Sequence, residues 1–157
     1  MHIPEYCESC SFASIDDDVL YQTDYWRLVL SHDQAYLGRS FLVLKDHKES
    51  LSDLAAEEWR DYQQLVRLIE SSYEKALRSG RPFNWACLMN NAFQAEPSHP
   101  HVHWHLWPRH AQPVTIGKTT FTDPEYAHHH DFDRKQQADD ETFALIFKKL
   151  RAVLREA

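Results

Sequence analysis

Residues 101–107 read His-Val-His-Trp-His-Leu-Trp, and this alternation of imidazole with apolar side chain is the tightest constraint in the chain. A helix would spread these residues around its circumference, whereas a strand sends successive side chains to opposite faces. The spacing therefore predicts a strand with Val102, Trp104 and Leu106 in a core and His101, His103 and His105 on the other face. At about 3.3 Å per residue the outer two α-carbons stand about 13 Å apart, while zinc holds nitrogen at about 2.0–2.1 Å. Three imidazoles of one straight strand cannot share one metal. Two adjacent ones can, as His-x-His, and the third then needs another duty. A row of imidazoles suits an anionic substrate, because each can donate a hydrogen bond, accept a proton or attack phosphorus near neutral pH. Phosphate chemistry is the leading expectation; the alternative is a surface cluster with incidental metal affinity.

The remaining segments supply a frame for that strand. "VLYQTDYWRLVLS" reads as a hairpin turning at Thr23-Asp24, and "SFLVLKD" (Ser40 to Asp46) as a buried strand that runs into His47. From Ser52 the period changes: Leu54, Trp59, Tyr62, Leu65, Val66, Ile69, Tyr73 and Leu77 recur at helical steps, with Ser52 or Asp53 to cap the start and Gly80 and Pro82 to end it. "NWACLMN" (Asn84 to Asn90) reads as another strand, and a last helix from about Asp140 carries Phe143, Phe147, Leu150 and Leu154. The class is α+β, in one domain spanning 1–157, since 157 residues at 43% hydrophobic content support one ordinary core. Residues 110–139 lack periodicity and read as a long polar loop, solvated at His128 to His130 and placed to fold over a ligand or an interface. Arg109, at a strand end, reads as a phosphate contact or, more ordinarily, a surface or interface residue.

A net charge of −7 argues against a broad nucleic-acid or anionic-membrane surface, so an anionic ligand needs a local pocket. No apolar run approaches the roughly 18 residues of a membrane span, and "MHIPEYCESC" lacks the basic and apolar regions of a signal peptide. Three cysteines, Cys7, Cys10 and Cys87, are too few for a disulfide framework and fit a reducing compartment. The expectation is a soluble, cytoplasmic protein with no nucleic-acid or membrane partner.

"HVHWHLW" with the following "PR" resembles the His-φ-His-φ-His-φ-φ motif of the histidine-triad (HIT) family, φ being apolar. The similarity extends to "CESC", to "GRSFLVLKDHKESLSDLAAEEW" and to "LMNN", and together these look like a bacterial-type member. The resemblance implies a five-stranded antiparallel sheet with one long and one C-terminal helix, commonly a homodimer, and chemistry at the α-phosphate of a nucleotide. On it, His103 matches the nucleophile, His105 the histidine that holds the phosphate oxygens, Ser98 a serine contacting phosphate or leaving group, and Asn90 a ribose- or phosphate-side asparagine. It also implies structural zinc on Cys7, Cys10, His47 and His101, with His99 a rival ligand, and no organic cofactor. Two thiolates and two imidazoles close a tetrahedral site, which would clamp rather than catalyse.

Departures from the family pattern bear on phosphate binding. "NAFQAEPSHP" has no glycine and places Pro97 where a glutamine is usual. Ser40 stands where a histidine often opens the third strand, and is taken as a substrate contact in its place. "SHPHVH" is also similar to the nucleotidyltransferase and phosphorylase branch, although that branch mostly has glutamine at the third triad position, so His105 favours a hydrolase. Expected substrates are dinucleoside polyphosphates or other AMP conjugates. The alternatives are a nucleotidyltransferase or phosphorylase, and a non-catalytic nucleotide- or zinc-binding protein. Trp26, Leu28 and Phe41 are candidates to cover a base.

Overall fold

The computed structural model describes Cys7 and residues 16–78, 82–94 and 96–156; Cys10 and Gly80 lie outside them. Strands β1 (Val19–Gln22) and β2 (Trp26–Leu30) form the expected hairpin, closed by Thr23, whose amide donates to the Trp26 carbonyl at 3.0 Å and whose Oγ1 accepts the Trp26 amide at 3.0 Å. Strand β3 (Ser40–Leu44) pairs with β2. Helix α1 (Ala56–Leu77) and strand β4 (Phe83–Ala86) follow, and β5 (His103–Pro108) then inserts between β3 and β4. The five strands are antiparallel in the order β1-β2-β3-β5-β4, which leaves β5 interior and β4 at an edge. Helix α2 (Asp140–Glu156) ends the described chain at the position its periodicity predicts.

One face of the sheet is the core. Trp26, Leu28, Leu30, Leu42, Leu44 and Leu106 pack there against Leu65, Ile69, Tyr73 and Leu77 of α1 and Ile146, Leu150 and Leu154 of α2. Trp26 and Leu28 are wholly buried in it, so neither meets a base, while Phe41 lies on the opposite face.

Three boundaries differ from the expectation. The helix starts at Ala56, because Ser50 caps a separate 3-10 turn over Leu51–Asp53 and the buried Glu58 carboxylate takes the Ala55 amide at 2.6 Å. Strand β4 stops at Ala86, because the chain before His103 bends toward the end of β3, where the Leu44 amide donates to the Val102 carbonyl at 3.2 Å and the Val102 amide to the Lys48 carbonyl, just past the strand, at 2.9 Å. Within the expected loop, β6 (Val114–Ile116) and β7 (Thr119–Phe121) form a hairpin around Gly117, at φ +59°, which buries Ile116 and Phe121 against the core. A glycine opening a two-residue turn is a hairpin signal that two three-residue strands are too short to reinforce by periodicity.

Gly38, which precedes β3, has φ +86°, and a Cβ there would sit 2.9 Å from Leu77 Cδ1 and 3.2 Å from Pro108 Cγ. Gly38→Ala is expected to cost about 1–3 kcal/mol through backbone strain, more if Leu77 cannot yield, read as a lower urea midpoint. An unchanged midpoint would contradict that fit.

Candidate functional site

The face of the sheet opposite the core is built by parity along β3 and β5. Val43 pairs with His103, Phe41 with His105, and on the other side Ala86 pairs with His105 and Asn84 with Trp107. His103, His105 and Trp107 thus stand in a row, with Trp104 and Leu106 anchoring their strand below.

His103 Nδ1 lies 2.8 Å from the His101 carbonyl oxygen, which can only accept, so Nδ1 carries the proton and donates. Its Nε2 therefore holds the lone pair. That atom faces His105 Nε2 at 3.2 Å, a contact that His105 completes by donating. The Phe41 ring edge flanks both imidazoles, at 6.5 Å from His103 and 5.0 Å from His105. Burial pushes His105 down to about 4; the neighbouring charge of His103 adds to the shift and the Leu88 backbone opposes it. His105 is a neutral hydrogen-bond donor at pH 7.

His101 departs from the row. It precedes β5, is 2% exposed, and turns its ring to the end of β3, where Nε2 donates to the Leu44 carbonyl at 2.7 Å. The Nδ1 lone pair then points to His47 Nδ1 at 3.3 Å and Cys7 Sγ at 3.5 Å, and the three ligand atoms lie within 4.8 Å of one another. A tetrahedral zinc with ordinary bond lengths separates two nitrogens by about 3.4 Å and a nitrogen from a sulfur by about 3.6 Å. The Cys7, His47 and His101 donor set fits that geometry, and the Leu44 carbonyl supplies the outer contact that fixes a ligand tautomer. Burial pushes His101 down to about 4. Cys10, the fourth expected ligand, lies outside the described residues, and no metal cluster that includes His99 is found among them.

The remaining expected residues divide. Asn90 is exposed and opens the 3-10 turn Asn90–Gln94 just beyond β4. Ser98 is half-buried in the segment leading to the triad and makes no side-chain hydrogen bond among the described residues. Ser40 is a correction. It pairs with Leu106 on the core face, is fully buried, and bonds through Oγ to Tyr73 Oη at 2.7 Å. The residue before it, Arg39, comes to the triad side instead, with Cζ 5.7 Å from the Phe41 centroid.

The segment after β5 is no solvated loop throughout. Arg109 is buried, and its guanidinium donates to both Asp123 carboxylate oxygens, at 2.7 and 2.9 Å, and to Asn84 Oδ1, the His128 carbonyl and the Glu125 carbonyl. Tyr36 adds a second anchor: its hydroxyl donates to Glu125 at 3.0 Å and accepts the Asp131 amide at 2.7 Å. His128 and His129 are exposed as expected, but His130 stacks on Trp107 at 4.2 Å.

His101 and His105 must each take up a proton when the chain unfolds below the ordinary imidazole value of 6.5. Their contribution is complete above pH 6.5 and is lost as pH falls toward 4, so stability should drop between about pH 7 and about pH 5. Urea midpoints that stay constant across this range would show that neither imidazole is held neutral.

Comparison with known proteins locates the arrangement. Residues 13–112 match the HIT domain family. The fold is similar to a hypothetical histidine triad nucleotide-binding protein from Sulfolobus tokodaii strain 7, with 16% identity and a TM-score of 0.67 over 94% of this chain and 93% of that one. It is also similar to a Zn-bound histidine triad family protein from Mycobacterium smegmatis, at 16% identity and a TM-score of 0.59 over 96% and 94% of the two chains. A uridylyltransferase matches at 13% identity and a TM-score of 0.69, with 96% of this chain covering 46% of the larger one. No curated protein matches in sequence.

Proposed function

The chain belongs to the HIT domain family, and from that membership we propose that it is a nucleotide hydrolase, cleaving at the α-phosphate of dinucleoside polyphosphates or other AMP conjugates through a nucleotidyl-histidine. The observation that carries this reading is the tautomer of His103: with Nδ1–H tied to the His101 carbonyl at 2.8 Å, the lone pair lies on Nε2, beside His105 on the face of the sheet opposite the core. Nε2 attacks the α-phosphorus, a phosphorus–nitrogen bond forms, and the bond to the leaving group breaks, that group departing with its electron pair and taking a proton from solvent. Water then attacks the phosphorus, gives its proton to solvent, and releases nucleoside monophosphate as the phosphorus–nitrogen bond breaks and the His103 imidazole is restored. The His105 Nε2–H, 3.2 Å from the nucleophile, supports the charge that develops on the phosphate oxygens. Asn90 and Ser98 are assigned to the substrate beside them.

The test is incubation with a panel of adenylylated compounds and an alkaline quench that preserves phosphoramidate. Nucleotide mass on the peptide containing His103 is the expected result, and turnover without label there would remove the nucleophile. A transferase reading draws support from the similarity to uridylyltransferase; there phosphate or another acceptor replaces water, and products formed with and without phosphate separate the two.

Structural zinc is assigned to Cys7, Cys10, His47 and His101, where it would clamp the N-terminal segment to the end of β3. The fit of the three described donors supports it, as does the zinc in the Mycobacterium smegmatis relative. Protein purified without a histidine tag should carry stoichiometric zinc, and Cys7→Ser should lose metal and melt earlier, by about 2–4 °C for each kcal/mol lost. No metal and no change in melting would end the assignment. We also assign a homodimer, supported by edge strand β4, whose Phe83 and Trp85 are only half-buried, and by Trp59 at 37% exposure on α1; sedimentation showing only monomer would overturn it. The cysteine usage and the lack, among described residues, of a helix long and apolar enough to cross a membrane support a cytoplasmic setting.

A further inference from the structure

The row of side chains on β5 does not end at His105, and a second group of basic side chains gathers around the next one, Trp107. Arg39 is bracketed by two rings, its Cζ 5.7 Å from the Phe41 centroid and 5.9 Å from that of Trp107. The same indole is stacked by His105 at 5.0 Å and by His130 at 4.2 Å. Two polar atoms of these residues are shut from solvent without a hydrogen-bond partner: Arg39 Nε and His130 Nε2. Buried polar groups are satisfied as a rule, so two unsatisfied ones on either side of one ring mark a place where a ligand completes them.

Charge points to the kind of ligand. Burial is the first cause that lowers both His105 and His130, and the positive charge of Arg39 acts on each in the same direction. Two carboxylates lie nearby. Asp33 holds one end of the Arg39 guanidinium but is itself engaged by the Ala35 and Gln136 amides, and Asp131 acts on His130. Arg39 has five donors in a planar fork, so Asp33 leaves most of them for a second acceptor, and the flanking rings hold the fork in place before any ligand arrives. The acceptor that fits a guanidinium with donors to spare is an anion of phosphate geometry, which takes two of them at once.

We propose that Arg39 and His130 form a second anion subsite beside the α-phosphate position, taking the further phosphates of a nucleoside polyphosphate. This rests on the nucleotide reading above and narrows it: the substrate carries additional phosphates, and conjugates with an uncharged leaving group are poorer ligands. His130 reaches the site only because Arg109 and Tyr36 fix the segment that carries it.

The experiment is calorimetric titration of AMP and of ATP into the His103→Asn protein, which lacks the proposed nucleophile and leaves both ligands intact. ATP should bind about tenfold or more tightly than AMP, the scale of one or two charge-assisted hydrogen bonds. Arg39→Gln and His130→Gln, each in that background, should weaken ATP and bring the ratio toward one. His130→Gln leaves the Arg39–Asp33 pair intact, so it decides the matter even where the melting curve shows that Arg39→Gln has lost its fold. Equal affinities for AMP and ATP, or a ratio that His130→Gln does not move, would overturn the subsite while leaving the nucleotide reading standing. Binding of neither nucleotide would overturn both.

Discussion

His103→Ala is expected to lose at least about 10⁴-fold in kcat on any adenylylated substrate that the native protein turns over, because it removes the proposed covalent nucleophile and with it a reaction path. The fold should survive. His103 is only half-buried, and its neighbours Phe41 and His105 are held by the β3–β5 ladder and by Trp107. Melting temperature should therefore change little while turnover disappears, and this separation is the diagnostic result. His105→Ala should lose less, about 10²–10³-fold, since it removes one donor from the transition state and leaves the nucleophile. Native-like rates in the His103→Ala protein would show that the row of histidines binds but does not react.

Arg109→Met is expected to destabilise the protein by about 3–5 kcal/mol, because it strands the Asp123 carboxylate in the interior. Both side chains of that pair are 2% exposed, and the same guanidinium satisfies Asn84 and the carbonyls of Glu125 and His128. Thermal melting should show a fall of about 10 °C. Arg109→Met combined with Asp123→Leu should recover part of it, since no charge is then left unpaired, although the carbonyls remain unsatisfied. A single-variant loss under about 1 kcal/mol would mean that water reaches the pair.

The core was legible wherever a period was long enough to repeat. The helical steps from Leu65 to Leu77 and the alternation of Val102, Trp104 and Leu106 each fix which side chains are inside, and the structure packs Leu65, Ile69, Tyr73, Leu77, Val102, Trp104 and Leu106 there, whereas Trp59, earlier in the same helical series, is 37% exposed. Ser40 was misplaced because a strand has only two faces and the composition of "RSFLVL" does not say which parity meets the histidines; the pairing of Phe41 with His105 does. Pattern alone left His101 in the row, although the chain bends before His103 to bond with Lys48 and Leu44. Arg109 had no local signal at all. Its partners Asp123, Glu125 and His128 lie in a stretch without period, so only the tertiary structure reveals that a polar segment is tied down by one buried cation. The Gly117 turn did carry a signal, and two three-residue strands were too little to support it.

The strand order β1-β2-β3-β5-β4 has a consequence for how the molecule comes into being. The hairpin of β1 and β2 and its extension by β3 are local, whereas β5 reaches β3 only after α1 and β4 have been made and has to enter between strands distant in sequence. Contacts of that range close slowly because the intervening chain must first be ordered. Val43 and His103 are such a pair. A growing chain would hold much of its helical and hairpin structure before His103 stood on its face of the sheet, so any activity that depends on the proposed nucleophile should trail the recovery of helix during refolding.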